Sequence, residues 1–179
     1  MRKVIQTVLV SADGVVGDPR LWALDYRDAE VEKDSVERLG DSDTMILGRG
    51  TYELFAATWP GQPSEFAGRM NSIRKYVFSS TLAQASWNNS TIVREDAAAG
   101  VARLKQQDGA DLLLYGHGSL AHTLWEQGLI DELRLSIHPV LAGRGQLLFW
   151  ESGKTPLKLE QVTTLGTGVV VLSYQPERA

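Results

Sequence analysis

The chain has 179 residues, 43% of them hydrophobic, a formal net charge of −4 and no cysteine. Its length suits one domain, 1–179, with a substantial core, and the missing thiols exclude a disulfide scaffold, a cysteine nucleophile and a thiolate metal site. The acidic balance argues against a nucleic-acid surface, and no apolar run approaches the ~20 residues that span a bilayer.

The opening KVIQTVLVS (3–11) is a predicted strand. Gln6 and Thr7 interrupt its apolar run and no small-residue cleavage site follows, so it does not read as a secretory leader. The loop SADGVVGDPRLW (11–22) comes next, then a charged helix at 26–40 whose thin apolar stripe is Val31, Val36 and Leu39. The strand TMILG (44–48) leads into helices at 50–59 and 64–73. Strands at 75–80 and 91–94 precede a helix at 95–109, with Asp96 as its N-cap and Gly109 as its stop. DLLLYG (111–116) is a strand, and SLAHTLWEQGL (119–129) a helix with Ser119 as N-cap. Strands at 132–141, 157–165 and 169–175 complete the chain, the last two joined by the hairpin turn LGTG.

Strands alternating with helices and ending in alternating-pattern strands predict a three-layer αβα fold. Its central sheet is mostly parallel, with antiparallel C-terminal strands. Ligands of such sheets bind outside the carboxyl ends of the strands. Four corners there carry suitable chemistry. ILGRGTYE (46–53) offers Gly48, a helix start, Arg49 and the Thr51 hydroxyl, a seat for phosphate or a capped turn with a solvated arginine. VFSSTL (77–82) places three hydroxyls, Ser79, Ser80 and Thr81, after a strand. YGHGSLA (115–121) has glycines that let backbone approach a pyrophosphate, but it falls at the fifth strand and is not a Rossmann turn. The loop 11–22 holds Asp13, Gly14, Gly17 and Trp22, and could close over a flat ring. His117, His122 and His138 show no metal-ligand spacing, so no metal site is expected.

Taken in order, TVLVSADGVVG, DTMILGRGTYE, KYVFSSTL and the block from Leu112 to Phe149 resemble the dihydrofolate-reductase-like superfamily. The closer likeness is to the reductase domain of riboflavin-biosynthesis deaminase–reductases and its stand-alone relatives. The resemblance implies NADPH-dependent hydride transfer to a small heterocycle, either pterin-like or 5-amino-6-(5-phosphoribosylamino)uracil-like. It places Gly48, Arg49 and Thr51 on phosphates, and Ser79, Ser80 and Thr81 around the 2′-phosphate and adenine ribose. Gly116, His117, Gly118, Ser119 and Leu120 fall along the pyrophosphate and nicotinamide, Ala12 on the carboxamide, and Val16 and Gly17 near the nicotinamide ring.

Folate reductases join consecutive glycines by a cis peptide where this chain has Gly116–His117. Their pterin-binding acid has three competitors here, Asp25, Glu30 and Glu32. No deaminase zinc signature is present. Proton delivery falls to Asp13, Asp25 or water, and Trp22 and Tyr52 are candidate walls of a substrate pocket. The expected partners are a small-molecule substrate and, through the late strands, a second copy in a homodimer, with no nucleic acid and no membrane. A cytoplasmic setting fits the absence of cysteine. A non-catalytic NADPH-binding or regulatory module and a structural dimer with a decayed pocket are the rival readings.

Overall fold

The computed structural model describes residues 1–40, 42–148 and 153–177. Phe149, which closes the last resembling block, and residues 178–179 of the expected domain lie outside the described residues. The elements are β1 (Val4–Ser11), α1 (Ala29–Gly40), β2 (Ser42–Gly48), α2 (Arg49–Thr58), α3 (Glu65–Ser72), β3 (Arg74–Phe78) and β4 (Ser90–Val93). They continue with α4 (Ala97–Lys105), β5 (Asp111–Tyr115), α5 (Ser119–Glu126), β6 (Glu132–His138), β7 (Leu157–Thr164) and β8 (Val170–Pro176). Two short 3₁₀ turns, Pro19–Leu21 and Leu24–Tyr26, lie between β1 and α1.

All eight strands form one sheet in the order β4-β3-β2-β5-β1-β6-β8-β7. The strands from β4 to β6 are parallel to their neighbours, and β8 and β7 are added antiparallel. The central strands are apolar on both faces, and alternation divides them between two cores. Val4, Ile46, Leu112 and Leu114 pack under α4 and α5. Their sequence neighbours Ile5, Met45, Leu47 and Leu113 pack on the other face, under α1, α2 and α3. Each such side chain taken out of water contributes roughly 1.5–3 kcal/mol. This is the three-layer arrangement expected from the sequence.

Several boundaries differ, each for a local reason. The charged helix begins at Ala29, because the Asp28 carboxylate accepts the Val31 N–H at 2.8 Å and caps it. Asp96 caps α4 as expected, accepting from Ala99 N at 2.9 Å. The cap of α5 is Gly118 and not Ser119, which is already in the first turn. The sixth strand stops at His138, since Pro139 has no N–H to donate to the ladder. The hairpin turn at Leu165–Gly168 forms as read, with Gly168 at φ +86°.

At the amino ends of the parallel strands, the buried cations Arg2 and Lys105 pair with the exposed Asp43 and the half-buried Asp131. The carboxyl ends of the central strands open into a cleft.

Candidate active site

The cleft measures about 930 Å³ and lies where the sheet changes direction. From β2 the chain enters α2 on one face of the sheet, and from the adjacent β5 it enters α5 on the other. The two helix starts therefore flank one crevice.

Their local structure differs from the other helix starts. Helices α1, α3 and α4 are capped by the side chains of Asp28, Ser64 and Asp96. Helices α2 and α5 start after Gly48 and Gly118, with no side-chain cap. Their first N–H groups are left for solvent or a ligand, and the positive ends of their dipoles face the crevice. Gly116 lets them approach closely. It sits at φ +95°, and a Cβ on it would lie 2.6 Å from the Thr51 Oγ1. The wholly buried Gln6 pins this turn from below: its Nε2 donates to the Gly116 carbonyl at 2.9 Å, and its Oε1 accepts from Trp125 Nε1 at 2.6 Å.

Arg49 opens α2, with Nε donating to Glu53 Oε1 at 2.7 Å and a terminal nitrogen donating to Thr81 Oγ1 at 2.8 Å. The loop after β3 is folded around Ser79, whose Oγ accepts from Thr81 N and Leu82 N at 3.3 and 3.0 Å. Arg94, just past β4, donates to the carbonyls of Ser80 and Leu82, both at 2.8 Å. Sequence reasoning missed Arg94. The strand-end rule applied to the fourth strand would have found it.

Across the cleft, the loop after β1 is braced against residues 140–148. Ala12 N donates to Val140 O at 2.9 Å, Val16 N to Gln146 O at 2.8 Å, and Val15 bridges Leu147. Asp13 is part of that brace. It accepts from the Ser11 hydroxyl at 2.6 Å, Ala142 N at 3.0 Å and Gly143 N at 2.7 Å. These bonds, the Ser11 hydroxyl foremost, hold its carboxyl down at about 2.

Val16, Gly17, Gly48, Arg49, Thr51, Ser79, Ser80, Gly116, His117, Gly118, Ser119 and Leu120 all line this one cleft. Ala12 and Thr81 do not. The Ala12 N–H is spent on Val140, and Thr81 stands behind Arg49.

The four expected catalytic and substrate residues also lie off the cleft lining. Asp13 is an ionised staple outside it, and Asp25 is exposed in the second 3₁₀ turn. Tyr52 is 3% exposed in the core, where its hydroxyl accepts from Trp87 N at 3.0 Å. The face that α2 turns to the cleft is Thr51, Leu54, Phe55 and Thr58, and Tyr52 is one step round the helix from it. Trp22 is packed behind the loop, with Nε1 donating to Gly17 O at 3.1 Å and its ring edge-on to His138 at 5.3 Å.

Further lining comes from the 3₁₀ turns, the inner face of α1, which carries the pterin-acid candidate Glu32, and the carboxyl end of β6 with His138. Glu32, Asp34 and Arg38 are among these residues, as are Arg20 and Arg27. His117 lines the cleft with its imidazole pushed down to about 4, by burial above all. It is neutral at physiological pH. Among the described residues, no group of three His, Asp or Glu is placed to hold a metal, and no helix is long and apolar enough to cross a membrane.

This is the architecture of a riboflavin-type, dihydrofolate-reductase-like reductase domain, and comparison with known proteins agrees. The RibD C-terminal domain family matches residues 2–171, and the chain belongs to that family. YyaP of Bacillus subtilis (strain 168), which bears the name uncharacterized protein, is 31% identical, over 97% of this chain and 94% of its own. Among solved structures, a Shewanella sp. PV-4 protein described under riboflavin biosynthesis superposes with a TM-score of 0.80 at 20% identity, covering 98% of this chain and 99% of its own. A Thermotoga maritima diaminohydroxyphosphoribosylaminopyrimidine deaminase/5-amino-6-(5-phosphoribosylamino)uracil reductase gives 0.63 at 14% identity, covering 98% of this chain and 56% of that one. At these identities the two structures show the shared fold. The family supports an oxidoreductase of the riboflavin-pathway type as the class of protein.

Proposed function

We propose that the chain is an NADPH-dependent reductase that transfers a hydride to a small heterocycle. The observation that carries this reading is the convergence of two uncapped helix starts, the hydroxyl loop at Ser79–Ser80 and two arginines on a single cleft. The glycine at 116 leaves room where any Cβ would collide, which suits a pyrophosphate laid across the turn. Arg49, Ser79 and Ser80 would hold the 2′-phosphate, with Arg94 fixing their loop. Val16 and Gly17 would border the nicotinamide.

When bound, NADPH supplies the hydride. The chain's own part is to orient the two rings, exclude water and admit one proton. Neither Asp13 nor Asp25 faces the cleft, so that proton comes from water or from Glu32. Among the described residues Glu32 is a cleft carboxylate with no ion-pair partner. The misplacement of the two expected donors favours one other reading, a non-catalytic NADPH-binding or regulatory module.

The test is titration with NADPH, and with NADH as control, followed by the fluorescence of the five tryptophans. NADPH oxidation is then measured against pterin, ribosylaminouracil and quinone acceptors. NADPH binding without turnover of any acceptor would favour the module. No binding of either nucleotide would end both readings. A homodimer completes the proposal: β7 is a sheet edge with Leu157, Leu159 and Val162 exposed, and sedimentation should return twice the chain mass. The dimer is expected in the cytoplasm.

A further inference from the structure

In the half of the cleft between α1 and α2, several polar side chains are spent within their own helices. The Ser35 and Thr58 hydroxyls donate to the carbonyls of Val31 and Leu54, both at 2.7 Å, and Asp34 holds Arg38 at two points. The floor of this half is different. Thr7 of β1 and Tyr115 of β5 are register partners in the parallel sheet. Their side chains stand side by side on one face, on strands about 4.8 Å apart. It is the face under α1, α2 and α3, since Ile5 and Leu113, two residues earlier on each strand, lie in the core there. Both Thr7 and Tyr115 line the cleft.

Neither hydroxyl has a hydrogen-bond partner among the described residues. Thr7 Oγ1 is buried in that state. Tyr115 meets the Phe55 ring edge-on at 5.3 Å and lies half-buried. Trp59, on the wall of the same half, buries its Nε1–H without an acceptor among the described residues. A buried polar atom left unpaired costs free energy, and few folds keep one without a use for it. Burial pushes the Tyr115 phenol up, against a smaller pull from Arg134, so it stays a neutral donor near pH 7.

We propose that Thr7 and Tyr115 bind the acceptor by a ring lactam, one hydroxyl donating to its carbonyl and the other accepting from its N–H. The lactam site rests on the reductase reading and adds two residues that select the substrate. A hydroxyl serves in either role, so the pair fits a lactam in either orientation. Thr7 reaches the ligand by rotation about χ1 from one staggered position to another. A ring that lacks the N–H leaves a hydroxyl unpaired and binds more weakly.

The experiment uses two matched pairs, lumazine with 1,3-dimethyllumazine, and 5,6-diaminouracil with its 1,3-dimethyl derivative. NADP⁺ affinity is measured first by tryptophan fluorescence, and dissociation constants of the four probes are then measured by calorimetry with NADP⁺ bound. The expected result is that the N–H member of at least one pair binds about tenfold or more tightly than its dimethyl partner. Thr7→Val and Tyr115→Phe each remove one hydroxyl with little change of shape. Each should shrink that margin severalfold, with NADP⁺ affinity unchanged. Thr7→Val should also hold or raise the melting temperature of the unliganded chain, because an unpaired buried hydroxyl is lost, whereas a structural hydroxyl would lower it. Equal or weaker binding of both N–H members overturns the proposal. So does binding of none of the four, or a margin that either variant leaves untouched. An absence of NADP⁺ binding ends the reductase reading instead, and the same four probes titrated without nucleotide then decide the hydroxyl pair by the same margins.

Discussion

The two halves of the cleft are built from similar residue types but differ in how their arginines are paired. On the side of α5 and the loop after β3, Arg94 donates to two carbonyls and has no carboxylate partner among the described residues. Arg49 gives a single nitrogen to the exposed Glu53 and keeps the rest of its fork near hydroxyls. Two helix starts add partial positive charge. On the side of α1, Arg20 and Arg38 are each clasped at two points by an aspartate, and aromatic rings fill much of the wall. An arginine by itself therefore does not mark an anion site. What marks one is whether its partners leave donors for a ligand.

The largest expected effect comes from closing the gap at the turn. Gly116→Ala puts a Cβ against Thr51 Oγ1 at a backbone angle that side chains rarely adopt. NADPH affinity should fall by about a hundredfold or more, measured by fluorescence titration, with thermal melting to show how much of the fold is lost. Next is Arg49→Ala, which should lower the NADPH-over-NADH preference by about ten- to a hundredfold. An unchanged ratio of kcat/KM values would place Arg49 outside the phosphate half.

A smaller effect should be confined to the other half. Trp59→Leu removes a ring from the acceptor wall and should raise the acceptor KM by about fivefold, with the NADPH dissociation constant unmoved. If both constants rise together, the halves are not separable.

Two outcomes concern proton binding. Burial pushes the His117 imidazole down from the ordinary 6.5 to about 4 in the folded chain. The unfolded chain binds more protons in that window, so this part of the stability is full above 6.5 and declines as pH falls toward 4. Urea unfolding of His117→Gln should show a shallower decline over the same range. Cofactor affinity should not respond to His117 between pH 6.5 and 8. The smallest effect is the one on the catalytic pH profile by Asp13→Asn. A carboxyl held at about 2 has no proton to give near neutrality, so the profile should keep its shape while the melting point drops.

Much of the fold was readable from local pattern. Leu112, Leu113 and Leu114 announce a strand buried on both faces, and the structure sends them to alternate cores. Asp96 announced the start of α4. Within the site, the glycines and hydroxyls at strand ends were legible, because the connection rules of parallel sheets bring strand ends to one rim. Tyr52 and Trp22 were misread for the same reason as each other. Both follow site residues closely in sequence, but a helix step or a tight turn aims them at the interior. Asp13 was expected to deliver a proton from the loop after the first strand, and only residues 142 and 143, far along the chain, make it a fixed anion.

The sequence by itself determined the order of strands and helices, the two-faced burial of the central sheet and the glycine corners. These depend on contacts within a few residues and on chain connectivity. The pairs Asp34–Arg38 and Asp18–Arg20 are also close in sequence, yet nothing local says that they border a cavity. Which side chains face the cleft, which charges remain for a ligand and which acid is spent on a brace were decided by the tertiary structure. Those properties arise between elements, where packing fixes the distances over which charges and hydrogen bonds act.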